Sequence, residues 1–331
     1  MMIKNIINKL IEINLVKKLI ELARPNFIIL YYHRVIEDKD FEYDMGPNIH
    51  LCVKKSEFEV QMAYIAHNYD LISLDDLYKN NFKCEKFSVA VTFDDGYKDN
   101  LEVAYPILKK YNIPSTIYIV SRNIISKPWA WWIELWNFLS KNKSFKNDDK
   151  LINIEKINDK KKYFFNLKNK IKKLNYAEQI SFFNKLTSTI TRENHDDIYL
   201  NLDDLKKIKN KKLITLGCHT HDHLCFSYLE KKEIEKQINM CKEIIEQKLN
   251  IPVEHFAYPY GSKEDLNFFE HEILEKLRFK TAVTTIESIQ KIYKSFYLPR
   301  VSIGPFISIK DFKRKLTGFD IMIKKIINTF K

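Results

Sequence analysis

The chain has 331 residues, 45% of them hydrophobic and 13% aromatic with only 6 glycines, which excludes a fibrous or disordered chain and leaves room for one barrel-sized domain or two smaller ones. A formal net charge of +12 predicts an acidic partner: a phosphorylated substrate, an anionic membrane face or nucleic acid. No RNP-like aromatic pattern, zinc-finger spacing or helix-turn-helix signal accompanies that charge, so nucleic acid is set aside.

Residues 3–24 carry Ile3, Ile6, Ile7, Leu10, Ile13, Val16, Leu19 and Ile20 at helical spacing, with Lys4, Lys9, Lys17, Lys18 and Arg24 among the polar positions. This basic amphipathic helix either packs on the domain or lies on an anionic inner membrane surface. The opening stretch lacks the uninterrupted apolar core of a cleavable leader, and no run is long enough to span a bilayer. The cysteines Cys52, Cys84, Cys218, Cys225 and Cys241 are odd in number and scattered, as reduced thiols of a cytoplasmic protein are.

After Pro25, FIILYYHRV reads as a buried strand ending at His33, residues 55–77 as a helix and FSVAVTF as a second strand. YKDNLEVAYPILKKYN is helical and IPSTIYIV is a third strand. Between about 124 and 199 the alternation lapses into a polar, Lys-rich, mainly helical insertion. It opens with PWAWWIELW, whose tryptophans either stack on sugars or pack the insertion against the barrel. Alternation then returns with LDDLKKIKN, KKLITLG, a helix at 229–248, and strands at HFAYPYG, FKTAVTT and YLPRVSIG. Strands alternating with helices imply a parallel sheet, open or closed, with chemistry at the strand ends. A basic C-terminal helix over 311–331 completes the plan.

Two places carry chemistry. VTFDDGY sets Asp94 and Asp95 side by side, and adjacent carboxylates raise each other's pKa unless a cation takes up the field. GCHTHDH places His219 and His223 four apart; on a helical turn that spacing points both imidazoles one way, toward a divalent ion. With Asp95 they make a two-histidine, one-carboxylate set. Asp94 is then placed to take a proton from a water at the ion.

TFDDGY, the run from His219 to His223 and FAYPYG at 256–261 resemble, in order and spacing, the three leading motifs of the NodB-type polysaccharide deacetylases. The resemblance covers about 26–125 and 199–305. It implies an irregular (β/α)7 barrel and a metal-dependent hydrolase, with zinc as the expected ion, that removes an N-acetyl group from a sugar. It makes Asp94 the base, Asp95, His219 and His223 the metal ligands, and the Tyr97 N–H a donor to the oxyanion. Tyr258, Pro259 and Tyr260 would line the sugar groove.

Two departures accompany it. The third motif has Ala257 where the family carries an arginine, and no histidine follows His271 to serve as late general acid. His33 is the candidate acid, as in members that place the histidine strand first, against a strand-end histidine satisfied by backbone. Arg300 of LPRVSIG is the candidate brace for Asp94, against a surface cation. The expected plan is a helix at 1–25, a barrel at 26–310 and a C-terminal helix at 311–331. The expected substrate is a lipid-linked or nucleotide-linked intermediate of surface-polysaccharide assembly, met in the cytoplasm or at the inner membrane face. An exported deacetylase of finished polymer and a non-catalytic sugar-binding scaffold are the alternatives.

Overall fold

Strand β5 (Ser88–Phe93, SVAVTF) is buried at every position, the pattern of a strand covered on both faces by a parallel α/β fold. A computed structural model describes residues 26–41, 46–147, 150–187, 195–288 and 295–319. The helix expected at 1–25 and most of that expected at 311–331 lie outside these residues; the described part is a helix at Ile309–Leu316.

Seven parallel strands run in the order β11 (Thr281–Val283), β10 (His255–Ala257), β9 (Ile214–Cys218), β6 (Ser115–Ile119), β5, β1 (Phe27–Tyr32) and β12 (Val301–Ser302). The segment leading into β12 closes the curve. The Leu298 N–H bonds the Ala282 carbonyl and the Thr284 N–H bonds the Leu298 carbonyl, while Val301 and Ser302 pair with Leu30 and Tyr31 of β1. This is the irregular (β/α)7 barrel expected from the sequence.

One sequence expectation is corrected and another extended. Residues 55–77 are not one helix: Lys55–Asn68 ends at Tyr69, Asp70–Leu71 (β4) pairs with β5, and Leu74–Lys79 begins behind Ser73, whose hydroxyl caps the Asp76 N–H. The 124–199 insertion also holds an antiparallel hairpin, Ser144–Asn147 (β7) with Lys150–Asn153 (β8), beside helices Trp131–Lys141, Ile157–Ile171 and Tyr176–Thr187. Trp129, Trp131, Trp136, Phe164 and Phe183 build a core of its own there, separate from the barrel core.

Helix Lys231–Leu249 shows how the outer layer is seated. Ile234, Ile238, Cys241, Ile245 and Leu249 recur every three or four residues and are all buried, and Asn250 ends the helix with φ 51°.

Candidate active site

Strand register brings the sequence-predicted residues to one end of the barrel. Tyr32 pairs with Phe93, so His33 and Asp94, each the next residue, emerge side by side where β1 and β5 finish. Cys218 pairs with both Ile119 and Phe256, which sets His219 beside Ala257. Chemistry gathered at the carboxyl ends of parallel strands is the arrangement expected of such barrels.

Asp94 is buried and gripped by Arg300: Nη1 donates to Oδ1 at 2.7 Å and Nη2 to Oδ2 at 2.7 Å. The arginine is itself fixed, with Nε on the Thr284 carbonyl at 2.9 Å, Nη1 also on the Thr92 hydroxyl at 3.1 Å, and its guanidinium carbon 4.4 Å from the centre of the Tyr31 ring. Arg300 is 1% exposed, so it is not a surface cation. Burial pushes the Asp94 carboxyl up, but the Arg300 charge and its hydrogen bonds, with His219 and His33 adding to them, hold it below the usual carboxylate range.

Asp95 lies on the other side of a sharp turn, with φ 70° at both Asp95 and Gly96. A side chain at Gly96 would meet Ile119 Cδ1 at 2.9 Å as well as the left-handed backbone, so glycine is needed there. Asp95 Oδ1 lies 3.3 Å from Nε2 of His219 and 3.3 Å from Nε2 of His223. Burial alone would raise its carboxyl, but the two imidazoles beside it place it well below the ordinary value.

The histidine pair is not on a helical turn, as the spacing suggested. His219–His223 is a loop with φ 66° at Thr220 and 56° at His223, held by the Thr220 hydroxyl accepting the His223 N–H at 3.0 Å. A threonine in this region is strained by about 1–3 kcal/mol, a cost sustained here where the loop must fold both imidazoles inward. The rings still converge, with centroids 4.9 Å apart. His221 and Asp222 turn away, to the Ser121 hydroxyl at 2.9 Å and to Arg122 and Gln237.

A divalent ion fits this set. The ligand atoms of Asp95, His219 and His223 lie within 4.8 Å of one another. The His219 Nδ1–H donates to the Ala257 carbonyl at 2.8 Å, which leaves Nε2 with its lone pair facing Asp95. Two imidazole nitrogens and a carboxylate with room beside them are a donor set for a catalytic ion.

His33 is half-buried, and its ring hydrogen-bonds no described residue; the backbone does not satisfy it. Burial pushes its imidazole below the ordinary value, against the pull of Asp95 and Asp94. What the sequence did not show is how it is aimed. Asn100 Nδ2 donates to the His33 carbonyl at 2.7 Å, and the Asp99 carboxylate accepts from Arg34 Nε at 2.8 Å and the Val35 N–H at 3.1 Å. The acidic and amide pair after TFDDGY therefore clamps the corner that carries His33.

Tyr97, Tyr260 and Tyr258 part company. The Tyr97 N–H donates to no described residue, while its ring is buried and stacks on Tyr199 with centroids 5.1 Å apart. Tyr260 lines the mouth, 5.1 Å from the His223 ring. Tyr258 does not: it is 1% exposed, stacks on Tyr297 and donates its hydroxyl to the Phe296 carbonyl at 2.9 Å, because its alternation along the chain turns it into the core. Pro259 between them is also buried, its carbonyl accepting the Gly261 N–H. Neither supplies groove surface.

The insertion roofs the site. Trp132 stands 6.4 Å from the His223 ring, and with Trp129, Trp131, Tyr199 and Arg122 it bounds a narrow cleft of about 30 Å³ opening on Asp95 and His223. A larger cavity of about 340 Å³ continues past Tyr97 and Trp132 toward Arg34, Cys52 and Trp136. The tryptophans thus pack the insertion, the role weighed from the sequence against sugar stacking, and Trp129, Trp131 and Trp132 also line the cleft.

Residues 83–282 match the family model described as polysaccharide deacetylase. The chain is 37% identical over 78 residues (22% of this chain, 28% of that protein) to a Bacillus subtilis (strain 168) protein named for polysaccharide deacetylase. It is 34% identical over 106 residues (29% of this chain, 37% of that protein) to the poly-beta-1,6-N-acetyl-D-glucosamine N-deacetylase of Staphylococcus aureus (strain MSSA476). It thus spans about a third of the length of the curated relatives it matches. Among solved structures the fold is similar to a Streptococcus pyogenes deacetylase (TM-score 0.57, 19% identity, 88% of this chain and 97% of that one). It is also similar to a Bacillus cereus polysaccharide deacetylase (TM-score 0.56, 17% identity, 88% and 68%). With the family model matched across the two acidic residues and the histidine pair, the chain belongs to the polysaccharide deacetylase family.

Proposed function

We propose that the protein is a metal-dependent hydrolase that removes an N-acetyl group from an amino sugar. The observation that carries this reading is the pairing of a braced, ionised Asp94 with the Asp95, His219 and His223 set at one barrel end. Asp95, His219 and His223 would hold the ion, with zinc the expected one. When bound, it would polarise the acetamide carbonyl and acidify water. Asp94 accepts the proton of the attacking water, and the two bonds from Arg300 keep its carboxylate ionised and aimed. The Tyr97 N–H donates to the oxyanion of the tetrahedral intermediate. His33 then gives a proton to the departing amine, which otherwise leaves poorly.

The substrate we favour is a lipid-linked or nucleotide-linked sugar of surface-polysaccharide assembly. Supporting this choice are the net charge of +12 and an insertion that walls the site with tryptophans and carries many lysines. The basic segment 1–25 would bring the site to an anionic membrane face; sedimentation with acidic vesicles, with and without residues 1–24, tests that location. A second reading is finished β-1,6-linked polymer, the substrate named for the Staphylococcus aureus relative. Incubation with lipid-linked, nucleotide-linked and β-1,6-linked N-acetylglucosamine, read by mass, separates the two. No loss of an acetyl group from any of them, with bound metal confirmed, would overturn the deacetylase reading.

A further inference from the structure

The two histidines of the metal set are held in different ways. His219 donates its Nδ1–H to the Ala257 carbonyl at 2.8 Å, the outer bond that normally fixes the ring of a metal-binding histidine. His223 has no such bond: its Nδ1 is buried and has no hydrogen-bond partner among the described residues. An imidazole without that bond rotates about its second side-chain torsion unless packing prevents it, and rotation would take Nε2 away from Asp95. The packing is supplied by Tyr260, with ring centroids 5.1 Å apart, and by Trp132, at 6.4 Å.

Both rings depend on the insertion. Trp132 belongs to its helix Trp131–Lys141. Tyr260 belongs to the barrel, yet Lys172, in the turn after helix Ile157–Ile171, sets its ammonium 4.7 Å from the centre of the Tyr260 ring and pairs it with Asp265. Asp265 is itself a junction. It is buried, and its Oδ2 accepts from the Ser262 hydroxyl at 2.7 Å and the Ser262 N–H at 3.2 Å, while Oδ1 accepts from the Cys225 thiol at 3.3 Å. The Tyr260 carbonyl, on a backbone with φ 60°, accepts from the Thr285 hydroxyl at 2.7 Å. The barrel therefore anchors the Tyr260 backbone, and the insertion lysine holds its ring. A second clasp lies four residues on, where the Arg122 guanidinium carbon sits 3.9 Å from the centre of the Tyr176 ring and Nε pairs with Asp222, the residue before His223. The insertion turn at 172–176 thus reaches His223 at two points, through Tyr260 on its ring and through Arg122 on its chain neighbour.

We propose that Lys172 and Asp265 are positioning residues for His223. By pinning Tyr260 against its ring they supply the orientation that an Nδ1 hydrogen bond supplies at His219, and the insertion thereby sets the affinity of the metal site. This rests on the ligand set of the reading above and extends it beyond the barrel.

Competition for zinc between the full-length metal-free protein and a chromogenic chelator tests it. Lys172→Met should weaken zinc binding about tenfold, and Tyr260→Leu, which leaves the ion pair intact, should do the same even where Lys172→Met does not fold. Lys172→Arg keeps a cation over the ring and beside Asp265 and should retain the affinity, as should Lys161→Met, an exposed position on the same helix. The visible absorption of the cobalt(II)-loaded protein reports ligand geometry. It should change in Lys172→Met and match wild type in Lys172→Arg, whereas a merely structural lysine would lower the unfolding midpoint and leave the spectrum alone. Wild-type zinc affinity in both Lys172→Met and Tyr260→Leu, or the same loss in Lys161→Met, overturns the proposal. No zinc binding by the wild-type protein removes the ligand set and this inference with it. Binding that depends on Lys172, combined with no acetyl release from any acetylated sugar, leaves the positioning role standing and removes the deacetylase reading alone.

Discussion

Arg300 and Asp94 meet through two parallel hydrogen bonds of 2.7 Å across 206 positions of sequence, with both side chains buried. Removing the guanidinium leaves a buried carboxylate with burial as its dominant influence, which raises its pKa. Activity that needs ionised Asp94 is lost as pH falls through its folded pKa, which now lies below the ordinary range. In Arg300→Met and Arg300→Lys that loss should begin at higher pH, and turnover should fall roughly tenfold or more. Asp94→Asn should retain fold and metal yet lose about a hundredfold or more in turnover. Profiles of kcat/KM against pH check this; an unmoved acidic limb in Arg300→Met would mean that Asp94 is braced by something else.

Bound metal offers a separate measurement. Purified protein should carry about one divalent ion per chain, and Asp95→Ala, His219→Ala or His223→Ala should each abolish it, since a three-ligand site rarely survives the loss of one. Elemental analysis reads the result directly. Full occupancy in all three variants would dismiss the ligand set.

His33 and its clamp should separate by substrate. His33→Ala should slow amide cleavage far more than cleavage of an activated ester, whose leaving group needs no proton. Asn100→Ala should reproduce part of that selectivity by releasing the His33 carbonyl, with metal content unchanged. Equal losses on amide and ester would make His33 structural.

Gly217 predicts a packing effect at a distance from the ligands. A Cβ there would meet Tyr118 Cδ1 at 2.5 Å and the His255 carbonyl at 2.9 Å. Tyr118 in turn lies 5.8 Å beneath the Arg300 guanidinium. Gly217→Ala should therefore destabilise the fold by about 1–3 kcal/mol and also lower turnover, measured by denaturant unfolding alongside activity. Wild-type stability in this variant would show that Tyr118 can move freely.

The barrel and the convergence of Asp95, His219 and His223 were legible because short motifs encode them: buried strands ending in carboxylates and histidines leave a mark within ten residues. Arg300 could be named only as a candidate, from the absence of an arginine at Ala257, since nothing local says which strand β12 will join. The structure supplies that through the pairing of Val301 with Leu30. Tyr258 was misread because of its motif only Tyr260 reaches the mouth, while Tyr258 stacks on Tyr297 in the core. Helical spacing also misled at His219–His223, where left-handed residues in a loop give the same convergence as a helical turn.

The closing segment 295–302 joins the last strand to the first and also delivers Arg300 to Asp94. Ribosomal synthesis therefore makes the base long before it makes the base's partner. A nascent or clipped chain ending before residue 300 would hold both carboxylates and both metal-site histidines yet lack the cation that keeps Asp94 charged. On the proposed deacetylase reading, hydrolytic competence would become a property of a chain that has passed residue 300.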